Sequence, residues 1–238
     1  MSVLTLVRHG QAAFFADDYD ELTALGEQQS RLLGEHWVGQ GLRIDEVYTG
    51  PRARQRRSAE ITGAAFRHAG LIWPEPVVIQ DLDEFDLHGV FHQIVPEYSR
   101  ENADFARLFE DYRQCAGGSE KLRSFQRMFE SLLLYWQDLP SGDARFEGWQ
   151  EFRQRVERAV HEIVEACGPG RRVAMFTSGG FIGNACRFAL AAPDRSALEL
   201  AWRLRNASLT EFVFTRNRFT LDSFNAVPHL DPALWTYR

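Results

Sequence analysis

The stretch Leu4-Thr5-Leu6-Val7-Arg8-His9-Gly10-Gln11 constrains this chain more than any other. A short apolar run predicts a buried strand, and the glycine ends it. A side chain on the last residues of such a strand is held rigidly at a sheet edge. Here those residues are Arg8 and His9. Imidazole can act as nucleophile or proton carrier near neutral pH. Guanidinium presents a planar fork of donors that fits phosphate oxygens two at a time. On its own, a histidine in this place is more often a satisfied core residue beside a surface arginine. The rest of the chain decides between the two readings.

Beyond a loop holding Phe14, Phe15, Asp17, Asp18 and Asp20, Leu22, Leu25, Leu32, Leu33 and Trp37 recur near helical spacing. They predict a helix over roughly 23–38, with Thr23 as its N-cap. Ile44 to Tyr48 read as a second strand, followed by Thr49-Gly50-Pro51-Arg52-Ala53-Arg54-Gln55-Arg56-Arg57-Ser58-Ala59-Glu60. A strand, a Gly-Pro turn and a helix start put Arg54 near free backbone N–H groups that favour anions. Arg56 and Arg57 read as a solvated face pairing with Glu60. Val77 to Ile79 form a short strand before the acidic run Asp81-Leu82-Asp83-Glu84-Phe85-Asp86.

From Pro96 to Gly142 the chain turns helical and aromatic. One face carries Phe105, Leu108, Phe109 and Tyr112, a second Leu122, Phe125, Met128, Leu132 and Trp136, and Cys115 to Ser119 separates them. Trp149, Phe152, Val156, Val160, Ile163 and Cys167 mark a further helix that stops at Gly168-Pro169-Gly170. Val173 to Phe176 then form a strand, and Thr177-Ser178-Gly179-Gly180 opens the next helix, a natural anion nest. Leu209 to Phe214 and Phe219 to Leu221 read as a closing hairpin. His68, His92, His161 and His229 show no metal-ligand spacing.

Taken in order, these segments resemble the histidine phosphatase superfamily, whose members include cofactor-dependent phosphoglycerate mutases. Leu-Val-Arg-His-Gly-Gln is similar to its N-terminal signature, and Leu22 to Gln29 to its first helix. Residues 49–59 resemble its Ser-Ser-Pro-x-x-Arg-Ala-x-Gln-Thr-Ala segment, Asp81 to Asp86 its Leu-x-Glu segment, and Val173 to Gly180 its Val-Val-Ser-His-Gly-Gly segment. The resemblance implies an α/β fold: a three-layer α/β/α sandwich with a mostly parallel sheet. It further implies one domain over residues 1–238, with a helical insertion at about 96–142 that lids the site. It makes His9 the nucleophile and Arg8 and Arg54 the phosphate clamp. Glu84 becomes the proton donor and acceptor, ahead of Asp86, and burial should raise its pKa. Gln11, Ser178 and Gly179 complete the phosphate contacts.

The resemblance implies hydrolysis of a phosphomonoester, on a small phosphorylated metabolite, with no metal and no cofactor. The sequence departs from the pattern at Ser178, which stands where the family has its second catalytic histidine. A serine hydroxyl can donate a hydrogen bond but cannot supply the charge of an imidazolium. Three outcomes stay open: a weaker phosphatase, a site compensated by Arg52, Arg57 or His88, or a phosphate-ester binding or sensor protein. A protein phosphatase docking through the aromatic insertion is a further alternative.

Composition narrows the partners. The formal net charge of −6 argues against general nucleic-acid binding. It leaves room for an anionic substrate, because a few focused arginines override net charge locally. Cys115, Cys167 and Cys186 are widely spaced and form no CxxC pair, which points to a reducing compartment. No apolar run approaches membrane-spanning length, and Val3 to Val7 are better used as a strand than as part of an export signal. A cytoplasmic location without a membrane partner is therefore expected. The oligomeric state stays open, a homodimer being one option.

Overall fold

The computed structural model describes residues 1–13 and 20–237. Phe14, Phe15, Asp17 and Asp18, read above as loop, lie outside the described residues. The chain forms two compact units, Met1–Glu84 with Val156–Arg238, and Phe85–Arg155.

In the first unit, six strands form one sheet: β1 (Ser2–Arg8), β2 (Glu46–Thr49), β3 (Val77–Val78), β4 (Arg172–Thr177), β5 (Leu209–Thr215) and β6 (Arg218–Ala226). Their order is β3-β2-β4-β1-β5-β6. Pairing is parallel from β3 through β2 and β4 to β1, then antiparallel across β5 and β6. The expected α/β fold with a mostly parallel sheet is thus present, the closing hairpin making the sheet mixed. The second strand starts two residues later than its apolar run suggests, although Ile44 is buried just ahead of it.

Both faces of β1 are buried, which explains why its sequence is mostly apolar, with Leu4, Leu6 and Val7 around a buried Thr5, rather than an alternation. Val7 joins Ala174, Phe176 and Val47 on one face, under α1 (Ala24–Gly39) and α2 (Ala53–His68). Leu33 and Trp37 of α1 and Ala59 and Phe66 of α2 complete this core. Each of its large apolar side chains contributes about 1.5–3 kcal/mol on burial. Leu4 and Leu6 alternate with Val7 and are fully buried on the opposite face. That side of the unit carries α8 (Gly179–Leu190), which packs on β1, β6 and α9 (Asp194–Ala201).

Thr23 caps α1 as expected: its Oγ1 accepts from the Gly26 N–H at 3.0 Å. Two glycines then let α1 sit on the loop after β1. A Cβ at Gly10 would fall 2.3 Å from the Gly26 carbonyl oxygen, and one at Gly26 would fall 2.1 Å from that of Gln11. Either is far inside van der Waals contact.

The second unit is helical. After α3 (Leu87–Gly89) a π turn at Val90–Ile94 leads into α4 (Val95–Glu101), α5 (Ala103–Gln114) and α6 (Gly118–Asp138). Asn102 caps α5 through the Phe105 N–H at 2.9 Å. Of the apolar positions read as the α6 face, Phe125, Met128, Leu132 and Trp136 are buried, whereas Leu122, near the helix start, is exposed. Helix α7 (Trp149–Ala166) runs from the second unit into the first. Among the described residues, no helix is long and apolar enough to cross a membrane.

Candidate active site

Three parallel strands, β1, β4 and β2, end side by side, and the candidate residues of the first unit lie at those ends or on the loops and helix starts next to them. Arg8 pairs with Thr177 in register, and the His9 N–H donates to the Thr177 carbonyl at 3.0 Å. His9 and Ser178 are therefore neighbours across the strand ends. The Gly50 N–H donates to the Phe176 carbonyl at 3.0 Å, which brings in the turn that starts α2.

His9 is 4% exposed. Its Nδ1 lies 2.7 Å from the Gly10 carbonyl oxygen, which can only accept, so Nδ1 carries the proton. Nε2 is left with its lone pair, and the Nε–H of Arg54 donates to it at 3.2 Å. Burial, then the charges of Arg54 and Arg8, hold the imidazole pKa well below its ordinary 6.5. The ring is consequently neutral at physiological pH, with Nε2 as its unprotonated nitrogen. The His9 carbonyl is braced in turn by the Asn206 side chain at 3.3 Å and the Ala207 N–H at 3.2 Å.

Arg54 is the second residue of α2, and its side chain is 5% exposed. Its Nη1 also meets Asp20 Oδ1 at 2.7 Å, while Asp20 Oδ2 accepts from the Ala53 N–H at 2.8 Å. A carboxylate thus sits at the start of α2, where a helix favours an anion. Sequence reading passed over Asp20 because it belongs to an acidic loop. Arg8 donates through Nη1 to the Leu204 carbonyl. Its guanidinium lies against Gly179, where a Cβ would be 3.8 Å from Nε.

Glu84 follows a short 3-10 turn at Gln80–Leu82, and its Oε2 accepts from the Gly180 N–H at 3.0 Å. Glu84 therefore does at the start of α8 what the N-cap residue Ser178 does not, since the Ser178 side chain makes no capping bond. Asp83 fixes this loop: its Oδ1 accepts from the Glu84 N–H and from Arg52 Nε, both at 2.7 Å. Asp86, the second candidate acid, lies in the other unit and caps α3 through the Gly89 N–H at 2.9 Å. Gln11 is tied to α1, its Oε1 accepting from the Thr23 hydroxyl at 2.9 Å and its N–H donating to Gln29 at the same distance.

The residues considered as substitutes for a second histidine have other partners. Arg57 pairs with Glu27 at 2.9 Å and Glu60 at 3.5 Å, with its side chain half exposed. Arg52 is held by Asp83. His88 packs on His92 in the second unit, with ring centroids 4.1 Å apart. The residue that does reach Ser178 is Gln55, whose Nε2 lies 2.9 Å from Ser178 Oγ. The helical stripe Gln55, Ser58, Ala59, Thr62, Phe66 on the buried face of α2 is the sequence signal that could have found it. Among the described residues, no group of three or more His, Cys, Asp or Glu could hold a metal ion.

A buried imidazole that touches Arg54, and whose basicity the charges of Arg54 and Arg8 lower, thus stands at the carboxyl edge of the parallel strands. The pattern of the histidine phosphatase superfamily (branch 1) matches residues 4–144 and 123–227, and the chain belongs to that superfamily. The fold is shared with the alpha-ribazole phosphatase of Shigella flexneri (TM-score 0.62, 18% identity, 94% of this chain and 96% of that one). It is shared equally with the phosphoserine phosphatase of Entamoeba histolytica, solved with 3-phosphoglyceric acid (0.62, 17%, 96% and 99%). A mycobacterial glucosyl-3-phosphoglycerate phosphatase, solved with inorganic phosphate, is similar to the same degree (0.62, 20%, 96% and 99%). No curated protein matches the chain.

Proposed function

We propose that this protein hydrolyses a small phosphomonoester through a phosphohistidine on His9. The observation that carries the reading is the neutral His9, with Nδ1–H on the Gly10 carbonyl and Nε2 facing Arg54. In this reading Nε2 attacks phosphorus and the P–O bond to the leaving group breaks. Arg8 and Arg54 take the charge that gathers on the phosphoryl oxygens. Gln11, Ser178 and the Gly179 helix start add neutral donors. Glu84 gives its proton to the departing alkoxide, then takes one from the water that cleaves the phosphohistidine. The sum is ester plus water to alcohol plus phosphate. The phosphatases that share the fold act on, or were solved with, phosphorylated metabolites, which supports a small substrate.

Ser178, read as standing in place of a second histidine, favours one alternative: a phosphate-ester binding protein with little turnover. Incubation with an aryl phosphate, followed by trapping of the phosphoenzyme, separates the two. The wild type should form it and turn over, and His9→Ala should do neither. Hydrolysis that persists in His9→Ala would defeat the assignment, and phosphate binding without any phosphoenzyme would favour the alternative.

A further inference from the structure

We infer that Gln55 is a positioning residue of this site, turning the Ser178 hydroxyl so that its proton is presented to the bound phosphoryl group, a role that rests on the anion site proposed above. Gln55 is fully buried. One end of its amide lies 3.1 Å from the Arg52 N–H, which can only donate, so that end is the carbonyl oxygen. The other end is therefore the NH2 group, and it donates to Ser178 Oγ at 2.9 Å.

A serine oxygen that accepts in this way still has its own proton to place. Ser178 is 1% exposed, and among the described residues Gln55 is the only hydrogen-bond partner of its hydroxyl. A buried O–H without an acceptor is costly. Ser178 stands beside His9 across the β1–β4 strand ends, and Gln55 follows Arg54, whose Nε touches His9. An anion on His9 and Arg54 supplies the missing acceptor. The chain Arg52 N–H, Gln55 amide, Ser178 hydroxyl, phosphoryl oxygen then runs in one direction, each bond polarising the next.

The neighbourhood fits this role. A Cβ at Gly50 would lie 2.2 Å from Gln55 Oε1 and 2.8 Å from the Leu82 carbonyl oxygen, so the amide occupies its place only because residue 50 is glycine. The site holds a neutral, non-titrating donor at Ser178, aimed by its neighbour.

The test is a double-mutant cycle on the affinity for inorganic phosphate, with Gln55→Leu and Ser178→Ala. Each single variant should weaken binding by about 10-fold, and the double variant should be no weaker than Ser178→Ala alone. A second cycle uses Gln55→Glu, which matches glutamine in size and accepts the Ser178 proton instead of leaving it free. Its loss should be larger with Ser178 present than with alanine there, a difference that a simple charge effect or a packing defect does not produce. Should Gln55→Leu fail to fold, the glutamate cycle decides. Additive losses, or Gln55 variants that bind phosphate as tightly as the wild type, would overturn the inference while an Arg54→Ala defect left the anion site intact. Phosphate affinity unmoved by Arg54→Ala would overturn both.

Discussion

The Nε–H of Arg54 points at the Nε2 lone pair of His9 across 3.2 Å. One guanidinium thus touches the unprotonated ring nitrogen and lowers its basicity, and in the proposed reaction it would stand beside the incoming phosphorus. Arg54→Ala should weaken phosphate or vanadate binding and lower the rate by on the order of 10²-fold. Arg56→Ala, on the exposed face of α2, should change either by less than about 2-fold. Titration with vanadate and steady-state rates check both, and equal losses would place the clamp elsewhere.

Asp20 already occupies Arg54 and the first N–H of α2. In the proposed reaction an incoming phosphoryl group would compete with that carboxylate. Asp20→Asn keeps an acceptor for the Ala53 N–H but removes the charge. Inorganic phosphate should then bind several-fold more tightly, by roughly the worth of a charge-assisted bond. Calorimetric titration reads this directly, and weaker binding would mean that Asp20 supports the site rather than competing for it.

Glu84→Gln should slow esters with poor leaving groups far more than aryl phosphates, because only the former need a proton on the departing oxygen. The amide oxygen introduced by this change can still accept from the Gly180 N–H, so the loop should hold. Asp86→Asn should leave the leaving-group dependence unchanged, since Asp86 caps a helix turn. The slope of log kcat against leaving-group pKa is the measurement.

Acid should destabilise the fold through two histidines. Burial and the charges of Arg54 and Arg8 depress His9 well below 6.5, and burial and His36 bring His229 down to about 4. Below pH 6.5 the unfolded chain takes up protons that the folded chain refuses, so stability falls with pH through that window. Above 6.5 both groups are neutral in both states and contribute no slope. For His229 the loss should be complete near pH 4 and amount to on the order of 1–3 kcal/mol. Urea unfolding at pH 7 and pH 4.5 should show a smaller difference for His229→Gln than for the wild type.

Ser178→His alone should lower both stability and rate, because the ring meets the Gln55 amide in a packed site. Such overpacking typically costs about 1–3 kcal/mol. Combined with Gln55→Ala the ring has room, and the rate should exceed that of the wild type by roughly 10-fold or more. Thermal unfolding and steady-state kinetics on the three variants check this. A single variant that outperforms the double one would show that Gln55 does not fill the space.

The strand that ends at Arg8 was legible because a strand buried on both faces is mostly apolar, and Arg8 and the His9 that follows it then stand out. The Thr23 cap and Arg54 were legible for similar local reasons. Gln55 was not, because a glutamine within the run Arg52 to Arg57 reads as one more surface residue. Only its place on the buried stripe with Ser58, Ala59 and Phe66 separates it from Arg56 and Arg57. Asp20 was hidden differently: its partner is Arg54, 34 residues away in sequence, and loop sequence carries no period that reports such a pairing.

Strand β1 is enclosed by β4 and β5, whose register with it runs over residues 172–177 and 209–214. A ribosome that has just made His9 must therefore add about 165 more residues before the first of these neighbours exists, which takes roughly 8–33 s at typical rates of synthesis. Throughout that time Leu4 to Val7 have no partner strand on either side. Nascent chains of this protein should thus lean on chaperones that cover short apolar segments, and ribosome-bound fragments ending before residue 172 should carry His9 without the strand whose Thr177 carbonyl holds its N–H.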